Sequence, residues 1–296
     1  MEDRDTRFHA LYLRASVELS LHDFAKALET GKQAQALYPR NAGVYGILVD
    51  ACVEMGDYAQ AVTYSDQMVS IRPDLRSYSR VSYLRELHGQ VDGAMEAMQM
   101  AIGAGMPGLE QTAWCRQQLA EMMQRYGDLD GAAQQYKMLL VEREDYPFAL
   151  AGLGDIALEK GDFKAAEKHL TEAIARIPEV GFYVSMAHLY EKTGRTEEAA
   201  KTYAEIQTMM AEDSDAGHNM DLELAEVHLE LGKDLEKALT YAQKAYSARP
   251  DNIDVNAMMA RISLAKGEKA AARKYFEVAS RTGSKNPVLA EMAAKI

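Results

Sequence analysis

The sequence predicts an all-α solenoid of antiparallel helix pairs, and three periodic markers predict it. An alanine recurs at Ala27, Ala61, Ala94, Ala132, Ala166, Ala199, Ala238 and Ala272, at intervals of 34, 33, 38, 34, 33, 39 and 34 residues. A glycine stands five residues before it in most units, at Gly56, Gly89, Gly127, Gly161, Gly194 and Gly267. A proline stands twelve residues after it at Pro39, Pro73, Pro178 and Pro250. Markers that keep phase over nearly the whole chain mean a stack of like units. A short helix pair cannot cover its own apolar face, so it needs neighbours on both sides.

Pro147 to Pro178 is one complete unit. Leu150, Leu153, Gly154, Ala157 and Leu158 fall at helical spacing in its first half. Gly161-Asp162 then stops that helix and caps the next. Ala165, Ala166, Leu170, Ala173 and Ile174 share one face of the second half, and Pro178 ends it. The small Gly154 and Ala166 predict a close approach of the two helices.

This pattern of Leu-Gly, Gly-Asp-aromatic, Ala-Ala and closing Pro resembles the tetratricopeptide repeat, whose period is about 34 residues. The resemblance implies a right-handed superhelix with the first helix of each pair on its concave face. It also implies a non-enzymatic interaction module or scaffold that holds a peptide or helix of a protein partner. Family members that catalyse carry a separate domain, and here the repeats use up the chain.

Taken in order, residues 1–7 are charged and expected to fray. Units then follow at 8–40, 41–74, 75–106, 109–146, 147–178, 179–211, 218–250 and 251–286, with a terminal helix at 287–296. His22 takes the glycine's place in the first unit, and Gly232 lies six rather than five residues before Ala238. The third unit carries Arg76, Arg80, Tyr83 and Leu87 on one stripe, at the concave face if the resemblance holds. Between units three and four, Gly103 to Gly108 spells G-x-G-x-x-G. A helix precedes it, Pro107 interrupts it and no βαβ unit surrounds it, so it reads as a helix stop rather than a dinucleotide fingerprint. The fourth unit has four extra residues before Trp114, which either fills the widened gap or anchors a partner. A polar loop is expected over 211–217.

Composition narrows the function. The formal charge of −12 and pI of about 5.1 disfavour nucleic acid and anionic membranes, both of which need lysine and arginine. Cys52 and Cys115 are too few for a disulfide framework, and Cys52 reads as a core residue. No run approaches a membrane span, and the first ten residues lack a signal-peptide layout. A cytoplasmic protein is the default expectation, though the mature part of an exported one would read the same.

Chemistry is sparse. The seven histidines show no H-E-x-x-H, so no metal site is expected. No P-loop or G-x-S-x-G occurs, and no cofactor is implied. His228 faces the core, whereas His188 lies on the concave stripe. The family's carboxylate clamp would need basic and amide side chains at the positions of Tyr12, Ser16, Ile47, Arg76 and Arg80, and only the last two match. Concave positions otherwise include Asp50, Gln117, Glu121, Phe148, Asp155, His188, Glu226 and Arg261. The expected partner-binding residues are therefore Arg76, Arg80, Tyr83, Trp114, Gln117, Phe148, Asp155 and His188. Alternatively Tyr83 and Leu87 pack within their own unit. A second class of function is self-assembly into a homo-oligomer through Val288, Leu289, Met292 and Ile296 of the terminal helix.

Overall fold

The computed structural model describes residues 3–296, and among them seventeen helices and no strand. Eight antiparallel pairs follow one another. They are α1 (Arg4–Ser20) with α2 (Phe24–Leu37), α3 (Ala42–Glu54) with α4 (Tyr58–Ile71), and α5 (Leu75–Leu87) with α6 (Val91–Ala104). Then come α7 (Glu110–Arg125) with α8 (Leu129–Glu142), α9 (Pro147–Glu159) with α10 (Phe163–Arg176), and α11 (Val180–Lys192) with α12 (Thr196–Asp215). The last pairs are α13 (Asp221–Glu230) with α14 (Leu235–Ala248) and α15 (Ile253–Ala265) with α16 (Lys269–Ala279), and α17 (Pro287–Lys295) follows them. The pairs coil into a right-handed superhelix.

Each pair turns on one left-handed residue, and five of the eight then cap the second helix with an aspartate. Gly161 takes a left-handed φ of 76° that ends α9, and the Asp162 carboxylate accepts the Ala165 N–H at the start of α10. Asp23, Asp57, Asp128 and Asp234 cap their helices in the same way. Two units put a non-glycine in the left-handed position, His22 at φ 59° and Lys233 at φ 49°. Lys233, not Gly232, is thus the turn residue of the seventh unit. Gly232 instead makes room for the Tyr203 ring and hydroxyl.

Packing follows the markers. Seven of the eight marker alanines are fully buried, and only Ala199 is partly open. A Cβ on Gly154 would stand 2.9 Å from Leu170 Cγ and 3.4 Å from the Ala166 carbonyl, so the close approach of α9 and α10 is real. His228 is buried, stacked on Tyr241 and hydrogen-bonded through Nδ1 to the Tyr203 hydroxyl at 2.8 Å. Burial lowers its pKa, with Lys237 adding to the effect.

Three local expectations need correction. Helix α1 begins at Arg4 rather than near residue 8, because Arg4 and Asp5 reach back to the Leu37 carbonyl and the Tyr38 hydroxyl. Residues 1–2 lie outside the described residues. The stretch 211–215 is helix, not loop. Met210 is fully buried, Ser214 bonds the Met210 carbonyl at 2.8 Å, and no left-handed residue stops the helix before Gly217. Leu87, placed on the concave stripe, is buried among Tyr58, Leu84 and their neighbours instead.

The superhelix meets itself after about six units. The His22 ring lies 2.9 Å from the Asn219 carbonyl, and the Asn219 N–H donates to the Leu21 carbonyl at 3.1 Å. One unit on, Arg249 pairs with Glu54 and stacks over Phe24, while the Asn252 amide donates to the Glu54 carbonyl at 3.0 Å. The Ile253 N–H donates to the Tyr58 hydroxyl at 2.9 Å, and Arg281 donates to the Gly56 carbonyl at 2.6 Å. These contacts join the turns of the first units to the junctions that begin the later ones. The groove becomes a channel.

Candidate partner-binding channel

The first helix of each pair faces the channel, so its lining is read from α1, α3, α5, α7, α9, α11, α13 and α15. Two cavities on it hold seven of the eight partner-binding residues expected from the sequence. The larger, about 870 Å³, is lined by Tyr12 of α1, Ile47 and Asp50 of α3, Arg76, Arg80 and Tyr83 of α5, and Trp114 and Met122 of α7. Tyr83 and Trp114 keep 43% and 45% of their surface exposed there, which for large aromatics in a folded domain is unusual. Trp114 therefore does not fill the gap left by the extra residues. Those residues form the 105–109 connection and lengthen α7 to 16 residues.

The two arginines of α5 differ. Arg80 donates from Nε to Asp50 at 2.9 Å and from its terminal nitrogens to Asp50 at 2.5 Å and the Arg76 carbonyl at 3.0 Å. Its Nε also touches the Gly46 carbonyl at 3.3 Å. Its donors are engaged within the protein. Arg76 is exposed, and its guanidinium makes no ion pair among the described residues.

The second cavity, about 680 Å³, is lined by Gln117, Glu121 and Arg125 of α7, Phe148, Gly152, Asp155 and Glu159 of α9, and Phe182 and Ser185 of α11. Residues 286–288, at the start of α17, close it from across the channel. Phe148 packs edge-on against Phe182, with ring centres 5.3 Å apart. Gln117 is almost buried and donates to Glu121 at 2.8 Å. Burial raises the Asp155 carboxyl to about 6. Ser185 opposes the rise, while Glu159 and Glu121 add to it. Burial also raises Glu121, against the amide hydrogen bonds of Gln117 and Gln118.

His188 lies outside both cavities. It stands between Glu230 at 3.7 Å and Glu191 at 3.6 Å, and the hydrogen bond to Glu230 is the main reason its pKa is raised. Arg261 joins Glu230 and Glu226, and Lys233 joins Glu191, which completes a charge ladder along α11, α13 and α15.

Of the eight residues singled out in the sequence, the fold thus groups Arg76, Arg80, Tyr83 and Trp114 at one cavity. It groups Gln117, Phe148 and Asp155 at another, and leaves His188 apart. Two lining features escaped the sequence. Tyr136, from the second-helix layer, reaches the concave side under Gly152, and a glycine inside a helix with no turn to make was the signal for it. Arg125 was the other, and no periodic marker distinguishes it.

Sequence models described as tetratricopeptide repeat match residues 42–75, 124–180, 151–217, 184–253 and 229–296. No curated protein matches the chain. Among solved structures, pilF of Pseudomonas aeruginosa is similar with a TM-score of 0.55 at 10% identity, over 70% of this chain and 94% of that one. PilW, a type IV pilus biogenesis factor, gives 0.54 at 14% identity, over 68% and 92%. Human IFIT1, solved as a dimer with PPP-AAAA, gives 0.55 at 14% identity, over 96% and 74%. At such identities the likeness is one of fold.

Proposed function

The chain belongs to the tetratricopeptide repeat family, and we propose that it is a non-enzymatic interaction scaffold whose channel holds a peptide or helical segment of a protein partner. One observation carries this reading: two half-exposed aromatics, Tyr83 and Trp114, line the same concave cavity of about 870 Å³ as the unpaired Arg76. Aromatic and arginine side chains are the commonest anchors of protein interfaces. Arg76 offers forked donors to a carboxylate of the partner. Arg80, fixed by Asp50, holds α5 against α3 and so keeps Arg76 and Tyr83 in place.

Peptide display against the immobilised full chain tests the reading. Affinities of selected peptides follow from the fluorescence of Trp114, the chain's one tryptophan. Arg76→Glu and Tyr83→Ala are each expected to weaken the best peptide at least tenfold. Changes within twofold for both would overturn the assignment of this cavity.

A further inference from the structure

We infer that the second cavity, between α7, α9 and α11, is a subsite for a cationic side chain, a lysine ammonium or arginine guanidinium carried by the bound segment. The inference rests on the peptide-binding reading above and adds the charge and the position of one anchor.

Charge complementarity carries it. Four carboxylates line this cavity, Glu121, Asp155, Glu159 and Glu179, against one cation, Arg125. Arg125 is already committed to Glu86 of α5. Glu121 takes only the amides of Gln117 and Gln118, at 2.8 and 2.9 Å, and Glu159 takes the amide of Gln124. None of the four forms an ion pair among the described residues. Holding like charges together in a recess is unfavourable, and a cation brought by a partner relieves it.

A second, independent observation points into the same space. Tyr136 is 2% exposed, and its hydroxyl makes none of the side-chain hydrogen bonds among the described residues. The hydroxyl opens to the cavity. A second lining atom, Gln117 Oε1, is buried with no hydrogen-bond partner among the described residues, where buried polar atoms are normally bonded. A Cβ on Gly152 would fall 2.5 and 2.6 Å from Tyr136 Cε2 and Cε1. The glycine is thus a window through α9, and the phenol end of the ring lies against it and lines the cavity. An ammonium needs several oxygen acceptors, and a phenol oxygen beside two carboxylates supplies them. Phe148 and Phe182 give its alkyl stem an apolar wall. A bare metal ion suits the place less. Among the described residues no group of three or more His, Cys, Asp or Glu side chains is arranged to hold one.

The two cavities then differ in charge balance: Arg76, Arg80 and Arg125 nearly offset Asp50, Glu54, Glu86 and Glu110 in the first, while acids dominate the second. Arg76 favours an acid at one end of the segment, and Asp155 with Glu121 favours a base further along, which fixes the direction in which the segment lies.

Acid weakens the subsite. Asp155 is faced by Glu159 on its own helix, by Glu121 and Arg125 on α7, and by Ser185 and His188 on α11, with Glu179 at the start of α11. Below about pH 6 Asp155 is neutral, and His188 is protonated there. Both changes disfavour a cation.

The probe is N-acetyl-lysine methylamide, titrated into the full chain and followed by methyl NMR at Ala151, with its ε-acetylated form as the neutral control. The lysine probe is expected to shift Ala151 at pH 7.5 and the neutral control to leave it unmoved. Affinity is expected to drop at least tenfold in Asp155→Asn with Glu121→Gln, severalfold in Tyr136→Phe, and at least tenfold at pH 5. Equal binding of the control, or an affinity within twofold in the double variant, would overturn the subsite. Glu159→Gln is the second variant should the first misfold. Displayed peptides that bind but carry no enriched lysine or arginine would also overturn it and leave the peptide reading standing. Lysine binding with no peptide binding would do the reverse.

Discussion

Gly152→Ala is the sharpest test of how this chain packs. The added methyl would stand 2.5 and 2.6 Å from two ring carbons of Tyr136, with Cζ closer still. Ordinary contact needs about 3.5–4.0 Å between carbons, so ring and helix must part by at least about 1.3 Å to clear Cζ, the ring atom nearest the methyl. The ring cannot retreat into solvent. It is 2% exposed and packs among Ala113, Ala120, Ala132 and Leu139, all at 0%. Overpacking of this kind costs about 1–3 kcal/mol. A helix-interior Gly→Ala gains at most about 1 kcal/mol from propensity, so the clash wins. Gly103→Ala in α6 is the control, because nothing lies within 4 Å of its Cβ. It is expected to stabilise by a few tenths to about 1 kcal/mol. Urea unfolding followed by circular dichroism gives the difference. Hydrogen exchange locates it, since a repeat array can lose one region before another. A Gly152→Ala chain as stable as the wild type, with unchanged protection in α8 and α9, would refute the window geometry.

Three further outcomes follow from the structure. Asp155 keeps its proton to about pH 6 when folded, against 3.8 as its ordinary value. Unfolding therefore releases a proton between those pH values, and stability falls as pH rises through them. Asp155→Asn should raise Tm at pH 7.5 and leave it unchanged below pH 4, and an equal effect at both would remove the buried-charge argument. Arg249→Ala breaks the pair with Glu54 and the stacking on Phe24. It should cost about 1–3 kcal/mol locally, between the values for exposed and buried pairs. Small-angle scattering should then show a larger radius of gyration, and an unchanged radius with unchanged exchange at residues 54–58 would show the seam rests elsewhere. Lys233→Gly relieves a left-handed residue at φ 49° and should stabilise by about 0.5–1 kcal/mol, net of the extra freedom of the unfolded chain. A loss of stability on chemical unfolding would mean that the exposed pair with Glu191 matters more than the backbone.

The sequence by itself determined the repeat. Helix pairs, turns, caps and the close contact at Gly154 are decided within about 34 residues, by spacing and by the backbone preferences of glycine, aspartate and proline. Those are local matters, and one chain states them eight times over. It went astray where a neighbour overrode local composition. The acidic stretch after Met210 stays helical because Met210 is buried, and α1 starts early because Arg4 and Asp5 find partners in the next helix.

Only the tertiary structure decided which concave residues work together. Small rotations between units accumulate along the superhelix, and no single unit encodes their sum. After six units they bring Arg249 to Glu54 and Arg281 to Gly56, and so turn a groove into a channel. They also divide seven of the eight singled-out residues between two cavities and leave His188 outside both. Whether Arg80 was free or engaged depended on Asp50, 30 residues earlier, and whether Tyr136 met the channel depended on a missing Cβ in the next unit. Such pairings lie between units. Periodicity reveals the unit, and packing reveals what its neighbours do to it.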